Sequence, residues 1–295
     1  KNVNKPRGIF MKYKFLLATL ASMALTGLFV LAGCESKDKK ETAEAKAAPK
    51  YLVLYYSQNG TTKMVAEEIQ KALGADIEAF EVEEPYTGSF EETIARVGKE
   101  KQDGIIPKVK PIQADIEKYD VIFLGYPIWF GTFAPPMAGL VDVQKFKGKR
   151  IVPFCSFGSG GLEVSVKDLK AALPEAVIAE GYGVRTARTA AIPAEVNRFL
   201  IENKFVEGSV EQLPEFSAPT PVTEAETKIF DAACGDYQFP LGTPVTFGKR
   251  SIAQGTEYKF DVKSLAPDGS EASAIIYVIV SNNESEKPMF TRVVR

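Results

Sequence analysis

Small polar residues fill the segment Ser57–Thr62, the first loop, which separates an apolar run from a helical pattern. A helix N-terminus presents unpaired backbone N–H groups and the positive end of its dipole, and Gly60 lets an anion approach the backbone. The first loop therefore predicts a phosphate site that needs no basic side chain. It has neither the glycine spacing of a dinucleotide fingerprint nor the ending of a Walker loop. Taken alone, it fits an ordinary strand-to-helix turn with an N-cap equally well.

Two further segments carry residue types that suit a flat ligand. The second loop, Tyr126–Thr132, contains the only tryptophan of the chain, Trp129, beside Tyr126 and Phe130. Large aromatic side chains at a ligand-binding edge suit a ring that must be sandwiched, although surface packing of Trp129 is the alternative. The third loop, Ser156–Gly161, is rich in glycine, so a planar group can lie against its backbone.

Composition excludes several kinds of chemistry. The chain has no histidine, which removes Ser-His and Cys-His nucleophiles and imidazole zinc sites. Its three cysteines cannot make a four-thiolate cluster, and a formal net charge of -2 provides no basic face for nucleic acid. We therefore assign no catalytic side chain and no metal site, and we expect a bound cofactor to supply any difficult chemistry.

The three loops follow apolar runs that predict strands buried on both faces of a parallel sheet: Tyr51–Tyr56, Tyr119–Gly125 and Arg150–Cys155. Helical and strand patterns alternate along this part of the chain, which predicts helices on both faces of the sheet. Ligands of such sheets bind at the carboxyl ends of the strands, where all three loops lie. The remaining predicted strands are 77–82 and 176–184, and the predicted helices are 64–73, 90–101, 162–173 and 194–204.

The runs Leu54–Thr62, Gly125–Gly131 and Phe154–Gly161 resemble, in this order, the motifs of the flavodoxins. The resemblance is closest to flavodoxin-like proteins of the NAD(P)H quinone reductase and exported bacterial kind. It implies an α/β fold over residues 50–208, with a doubly wound five-stranded parallel sheet in the order 2-1-3-4-5. It also implies a non-covalent FMN.

Carried onto this sequence, the resemblance gives each loop a role. The first loop would hold the phosphate, the second would flank one side of the isoalloxazine, and the third would line the other side and the ring edge. Electron-carrier flavodoxins usually have acidic clusters around the flavin, whereas the second and third loops here contain no acidic residue, which argues against a basic redox partner. The implied cofactor-binding residues are Ser57, Gln58, Asn59, Gly60, Thr61, Thr62, Pro127, Ile128, Trp129, Phe130, Gly131, Ser156, Phe157, Gly158, Gly160 and Gly161.

The N-terminal part has the pattern of an export signal. Lys12 and Lys14 precede an apolar stretch that ends in Leu31-Ala32-Gly33-Cys34, which resembles a bacterial lipobox. We predict a signal peptide over residues 1–33, with 1–10 upstream of a start at Met11, and a tether over 34–49 that carries lipid on Cys34. This places the protein at the bacterial cell envelope, facing the periplasm or the outside. A transmembrane anchor is the alternative, although the run is short for one.

A second module is predicted at the C-terminus. Residues 209–222 are rich in proline and predict a linker. Residues 223–295 predict a small α+β domain, with a helix over 224–233 capped by Thr223 and Glu226 and strands over 243–254, 256–265, 272–280 and 290–294. Residues 251–262 resemble the central hairpin of cystatin-like domains, but only Gly255 of the inhibitory wedge is present, so an accessory or docking module is favoured over a protease inhibitor.

The sequence thus predicts an FMN-binding redox protein at the cell envelope. It would pass electrons between a small-molecule or protein donor and acceptor, with NAD(P)H/quinone oxidoreductase activity as one form. The alternative is a non-catalytic envelope protein that uses the flavodoxin scaffold for binding, with its C-terminal domain docking a protein partner.

Overall fold

The computed structural model describes residues 48–235, 237–265 and 270–295. These residues belong to one compact unit, Ala47–Arg295. The signal peptide, Cys34 and most of the tether, all predicted from sequence, lie outside the described residues. Within the described ranges, no helix combines the length and apolar character that a membrane span requires.

A mostly parallel sheet forms the first part of this unit. Its strands run in the order β2-β1-β3-β5-β6; β7 also pairs with β5, and the short β4 pairs antiparallel with the end of β3. The predicted order 2-1-3-4-5 is confirmed, because β5 is the predicted fourth strand and the predicted fifth is divided into β6 and β7. The strands are β1 (Tyr51–Tyr55), β2 (Asp76–Ala79), β3 (Val121–Trp129), β4 (Thr132–Phe133), β5 (Arg150–Phe157), β6 (Val177–Ile178) and β7 (Tyr182–Arg185).

Helices cover both faces of this sheet. Successive residues of a strand point to opposite faces, so Leu52 and Leu54 lie in one core while Val53 and Tyr55 lie in the other. The first core includes side chains of α3 and α4, and the second those of α1 and α5, which explains why β1 is apolar at every position. The helices are α1 (Thr61–Leu73), α2 (Phe90–Asp103), α3 (Pro135–Val143), α4 (Leu162–Ala172) and α5 (Ile192–Glu202), with 3-10 helices at Ile116–Lys118 and Thr186–Ala191.

Two local predictions need correction. The helix predicted over 64–73 begins three residues earlier, at Thr61, and its buried face is formed by Val65, Ala66 and Ile69, whereas Met64 is 43% exposed. The helix α3 was not predicted. Its nine residues begin with two prolines and include apolar side chains on most sides, so they show no amphipathic period.

The C-terminal part folds as a helix and an antiparallel sheet, in agreement with the predicted layout. The sheet has the order β12-β11-β10-β9-β8, and Phe230 of the helix packs on Phe260 of the sheet with ring centroids 5.3 Å apart. The predicted capping box of Thr223 and Glu226 is present. The elements are β8 (Thr220–Pro221), α6 (Glu224–Cys234), β9 (Thr243–Ile252), β10 (Gly255–Leu265), β11 (Glu271–Ser281) and β12 (Met289–Val294).

The predicted proline-rich linker is only partly a connection. Its end, β8, pairs with β9 as the edge strand of the C-terminal sheet, a position where a missing proline N–H is tolerated. Ser217 also donates its N–H to the carbonyl of Lys249 at 2.9 Å. The guanidinium of Arg250 lies 4.3 Å from the ring centre of Phe216. The last part of the linker therefore belongs to the second sheet.

Candidate functional site

The first loop connects β1 to α1 and collects backbone donors at the start of the helix. Gly60 occupies the N-cap position with φ 90°, a left-handed conformation that favours glycine. The Oγ of Ser57 accepts from the N–H groups of Gly60 and Lys63, each at 3.2 Å, and the Oδ1 of Asn59 accepts from the N–H of Thr61 at 3.3 Å. These are long bonds to neutral oxygens, so a charged acceptor can displace them at little cost.

Open space adjoins each of the three loops. A Cβ built on Gly60 or Gly131 would have no heavy atom within 4 Å, and one on Gly158 would meet only the hydroxyl of Tyr237, at 3.4 Å. Backbone surfaces of this kind allow close approach of a ligand. The donors of the first loop and these open glycine surfaces fit a flat ligand that carries a phosphate.

The second loop is a tight hairpin between β3 and β4. Ile128 pairs with Phe133, and Trp129 pairs with Thr132. The two turn residues, Phe130 and Gly131, have φ of 52° and 84°, as a type I′ turn requires. A bulky side chain at positive φ is strained, and here it places the Phe130 ring at the tip of the hairpin, 53% exposed. Phe130 is therefore the aromatic side chain of this loop that a ligand can reach most freely.

Trp129 is engaged by other aromatic rings. Its indole lies edge-on to Tyr86, with centroids 5.2 Å apart, and edge-on to Tyr56 at 6.3 Å. Surface packing, the alternative left open from sequence, therefore describes part of its environment. A flat ligand could meet only the part of the half-buried indole that these rings leave uncovered.

Tyr86 is a supporting residue that sequence reasoning missed. Its hydroxyl donates to the buried carboxylate of Glu100 at 2.5 Å, and the guanidinium of Arg96 lies 4.0 Å from its ring centre. Gln58 joins this cluster to the first loop, because it accepts from the Tyr56 hydroxyl at 2.5 Å and donates to the carbonyl of Tyr86 at 2.6 Å. No local sequence pattern marks Tyr86, since it lies in an irregular segment far in sequence from Trp129.

Burial keeps the two tyrosines of this cluster protonated. It raises the pKa of Tyr56 to about 12, with a smaller opposing effect from Arg96. The pKa of Tyr86 is also raised, first by burial and then by its hydrogen bond to the Glu100 carboxylate. Both phenols therefore remain protonated well above neutral pH and keep donating to Gln58 and Glu100.

The third loop is joined to both other loops. The Oγ of Ser156, 1% exposed, lies 2.8 Å from the Oγ1 of Thr62, which is fully buried. A Cβ on Gly161 would lie 2.7 Å from Cγ2 of Ile128 and 3.1 Å from the carbonyl oxygen of Gly131, so only glycine lets the second loop pack so closely. The predicted loops therefore form one continuous edge of the sheet.

The structure divides the sixteen predicted binding residues into three groups by their exposure. One group reaches the surface of the edge and includes Gln58, Asn59, Phe130, Gly131 and Gly158. A second group is mostly buried and consists of Thr61, Thr62, Pro127, Ser156 and Phe157; no hydrogen bond within the described residues occupies the Thr61 hydroxyl, which belongs to the first loop. The side chains of Thr62 and Ser156 are committed to each other, so their expected contact with a ligand would have to go through the backbone. The other six, Ser57, Gly60, Ile128, Trp129, Gly160 and Gly161, are partly exposed.

The Thr62–Ser156 pair provides a test of how the loops are held. Thr62→Val should destabilise the protein by about 1–3 kcal/mol, because it leaves a buried serine hydroxyl without its partner. The Thr62→Val/Ser156→Ala double variant should cost less than the sum of the two single variants, by about 1 kcal/mol. Urea unfolding of all four proteins without ligand measures both quantities. Strict additivity would show that the hydroxyl pair does not couple the loops.

Comparison with known proteins identifies the family. The family model described as Flavodoxin matches residues 50–198, half of the 295-residue chain. The chain belongs to the flavodoxin family.

Individual relatives resemble parts of this flavodoxin. Over 96 residues it is 38% identical to the NAD(P)H dehydrogenase (quinone) of Gluconacetobacter diazotrophicus, an alignment that covers 32% of the chain and 45% of that relative. The chain thus matches less than half the length of this curated relative. Among solved structures, a Lactobacillus acidophilus flavoprotein in complex with FMN has 23% identity and a TM-score of 0.44, covering 51% of this chain and 98% of that one. A Bacteroides eggerthii structure assigned as a flavoprotein has 30% identity and a TM-score of 0.45, with coverage of 51% and 98%.

Proposed function

We propose that this flavodoxin binds FMN and acts as an oxidoreductase that moves electrons between NAD(P)H and a quinone. The observation that carries the proposal is the joining of three loops along the carboxyl edge of the parallel sheet. One loop offers backbone donors, the second an exposed aromatic ring and the third a glycine surface. Ligands of doubly wound sheets bind at this edge.

Each loop contributes one part of the cofactor site. Ser57, Gly60 and Thr61 hold the phosphate with their hydroxyl and N–H groups, and the dipole of α1 favours its negative charge. Phe130, supported by Trp129, flanks the isoalloxazine, and Gly158 lets the ring edge lie against the backbone. Bound FMN supplies the electron-transfer chemistry, and the chain supplies binding, orientation and shielding. No side chain of the three loops is required as an acid or base.

NAD(P)H and quinone are proposed as the substrate classes because of the relative from Gluconacetobacter diazotrophicus, whose description names both. The second and third loops contain no acidic residue, which favours small-molecule substrates over a basic protein partner. Residues 223–295 are proposed to be an accessory module of cystatin-like layout.

The cell envelope is the proposed location. Support comes from the sequence alone: two lysines, an apolar stretch and Leu31-Ala32-Gly33-Cys34. Expression of the full chain in bacteria, with Cys34→Ala as the control, should place the unaltered protein in the detergent-soluble membrane fraction and the variant outside it. Identical fractionation of the two proteins would contradict a lipid on Cys34.

Titration with FMN tests the central proposal. The purified chain should quench the fluorescence of added FMN with a saturable curve and keep a yellow colour after gel filtration. Addition of NADH without oxygen should then bleach the flavin absorbance, and a soluble quinone should restore it. A chain that leaves FMN fluorescence unchanged would contradict the proposed cofactor.

Thr61→Ala separates phosphate binding from general stability. The substitution should weaken FMN binding by roughly ten- to a hundredfold, because a hydrogen bond to a charged acceptor contributes about 1.5–3 kcal/mol. Thr227→Ala is the matched control, since Thr227 lies in the first turn of α6, a helix outside the three loops. Riboflavin, which lacks the phosphate, should bind both variants alike. Equal loss of riboflavin and FMN affinity in Thr61→Ala would argue against a phosphate contact.

A further inference from the structure

The C-terminal sheet touches the third loop directly. Val293 of β12 donates its N–H to the carbonyl of Ser159 at 2.7 Å, and the two segments form a parallel bridge at Gly160. A Cβ on Gly160 would lie 2.1 Å from the carbonyl oxygen of Val293. Since no side chain fits between them, the loop and the strand are in backbone-to-backbone contact, and Gly160 is required for it.

Arg185, at the end of β7, connects the same two parts. Its Nε donates to the carbonyl of Gly158 at 2.8 Å, and its Nη1 donates to the carbonyl of Phe290 in β12 at 3.2 Å. The guanidinium also lies 3.5 Å from the ring centre of Phe290 and 5.6 Å from that of Tyr237. One planar, permanently charged group thus contacts both the loop and the C-terminal sheet.

Two consecutive carbonyls of the third loop are therefore held from outside it. The carbonyl of Gly158 accepts from Arg185, and the carbonyl of Ser159 accepts from β12. Neither peptide can turn without breaking a hydrogen bond. A glycine-rich loop without such restraints would sample many conformations. Its apparent affinity for a ligand would be lower, because only a fraction of the molecules would have the loop in the conformation that binds.

We propose that the C-terminal sheet is part of the flavin site, with β12 and Arg185 holding the third loop in the conformation that receives the ring. Arg185 is the positioning residue in this arrangement. The inference rests on the proposed FMN function and adds a role for the C-terminal module: it preorganises the cofactor site. The module's Tyr237, whose hydroxyl adjoins Gly158, then lies beside the ring edge.

The test compares Arg185→Gln with the unaltered full chain. The variant should bind FMN at least tenfold more weakly, and in the FMN-free protein it should speed hydrogen exchange of the Val293 amide, which donates to the carbonyl of Ser159, by a similar factor. Arg185→Lys should not restore either property, because lysine lacks the planar fork that reaches two carbonyls. Arg150→Gln is the matched control. Arg150 also stacks on an aromatic ring, Phe205 at 4.9 Å, but it begins β5 at the opposite edge of the sheet.

Gly160→Ala is the second variant, for the case that Arg185→Gln does not fold. The added methyl should push β12 from the loop and give the same paired change in FMN affinity and exchange. If the unaltered chain binds FMN and these variants keep wild-type affinity and wild-type exchange, the inference is wrong while the proposed function stands. Failure of the unaltered chain to bind FMN would overturn the proposed function together with the inference.

Discussion

Phe130→Asn should make the protein more stable and, at the same time, weaken FMN binding. Phe130 has φ of 52° in a two-residue turn followed by Gly131, and Asn-Gly is the preferred pair for a type I′ turn. Since the ring is 53% exposed and its ring contact among the described residues is the exposed Lys101 ammonium, 5.2 Å from its centre, its removal loses little packing, whereas asparagine relieves backbone strain. The expected gain in unfolding free energy is about 0.5–1 kcal/mol.

FMN affinity should change in the opposite direction. Loss of the aromatic face at the tip of the second loop should weaken binding by roughly tenfold, which corresponds to about 1.4 kcal/mol and lies within the range of aromatic contacts. Urea unfolding of the FMN-free protein and fluorescence titration with FMN measure the two effects separately. A gain in stability together with a loss of FMN affinity is expected when a residue is held in a strained conformation that favours ligand binding.

Phe146→Asn is the matched control, because Phe146 has the same φ of 52° but is only 2% exposed and lies in the core. Loss of its buried ring should cost about 3–5 kcal/mol, far more than relief of strain returns. If Phe130→Asn also destabilised the protein strongly, the hairpin tip would be a packing position. If FMN affinity were unchanged, Phe130 would not contact the ring.

The sheet was predictable because its evidence is local. Alternate residues of β1 enter two different cores, so the strand had to be apolar throughout, and a run of that kind is visible without any structure. The first loop was equally visible, since a polar segment between such a strand and a helix has a fixed place at the carboxyl edge.

The supports of the loops could not be predicted in this way. Tyr86 packs on Trp129, and Arg185 bonds to Gly158, across separations of more than twenty residues that follow from tertiary packing alone. Neither residue lies in a motif. The hydrogen bond between Thr62 and Ser156 also exists only because the fold brings the start of α1 and the end of β5 together. Both residues were expected to contact the ligand, but their side chains bond to each other and hold the loops instead. The ends of strands thus indicated where the site is, but not what holds it in place.

The contact between β12 and the third loop illustrates the same limit. Composition indicated a proline-rich linker and a separate module, which favours independent domains. Hydrogen bonds from Val293 and Arg185 instead connect the module to the edge of the parallel sheet. Such contacts depend on surface shape, for which the chain carries no periodic signal.

Gly125→Ala should cause a large loss of stability from a single methyl group. Gly125 lies in the central strand β3, between Tyr55 of β1 and Phe154 of β5. A Cβ there would lie 2.2 Å from a ring carbon of Phe154 and 2.8 Å from Cβ of Tyr55. Because Phe154 is completely buried, its ring cannot move without disturbing the core. The expected cost is about 3 kcal/mol, at the upper end of the range for overpacking.

Gly98→Ala is the matched control for the methyl group itself. Gly98 lies inside α2 and is exposed, and a Cβ added to it would have no heavy atom within 4 Å. The same substitution should therefore stabilise the protein by about 0.5–1 kcal/mol, because alanine favours the helix. Urea midpoints should shift in opposite directions for the two variants, with similar slopes.

The cause of the loss at Gly125 can be isolated with a second substitution. Phe154→Leu should itself cost about 1–3 kcal/mol through lost ring packing. It also frees the space that a methyl on Gly125 requires, so the double variant should cost at least about 1 kcal/mol less than the sum of the two single variants. An additive result would mean that the Phe154 ring is not what excludes a side chain at Gly125. Coupling would establish that position 125 requires glycine because the Phe154 ring of β5 crosses β3 there, just before the second loop begins.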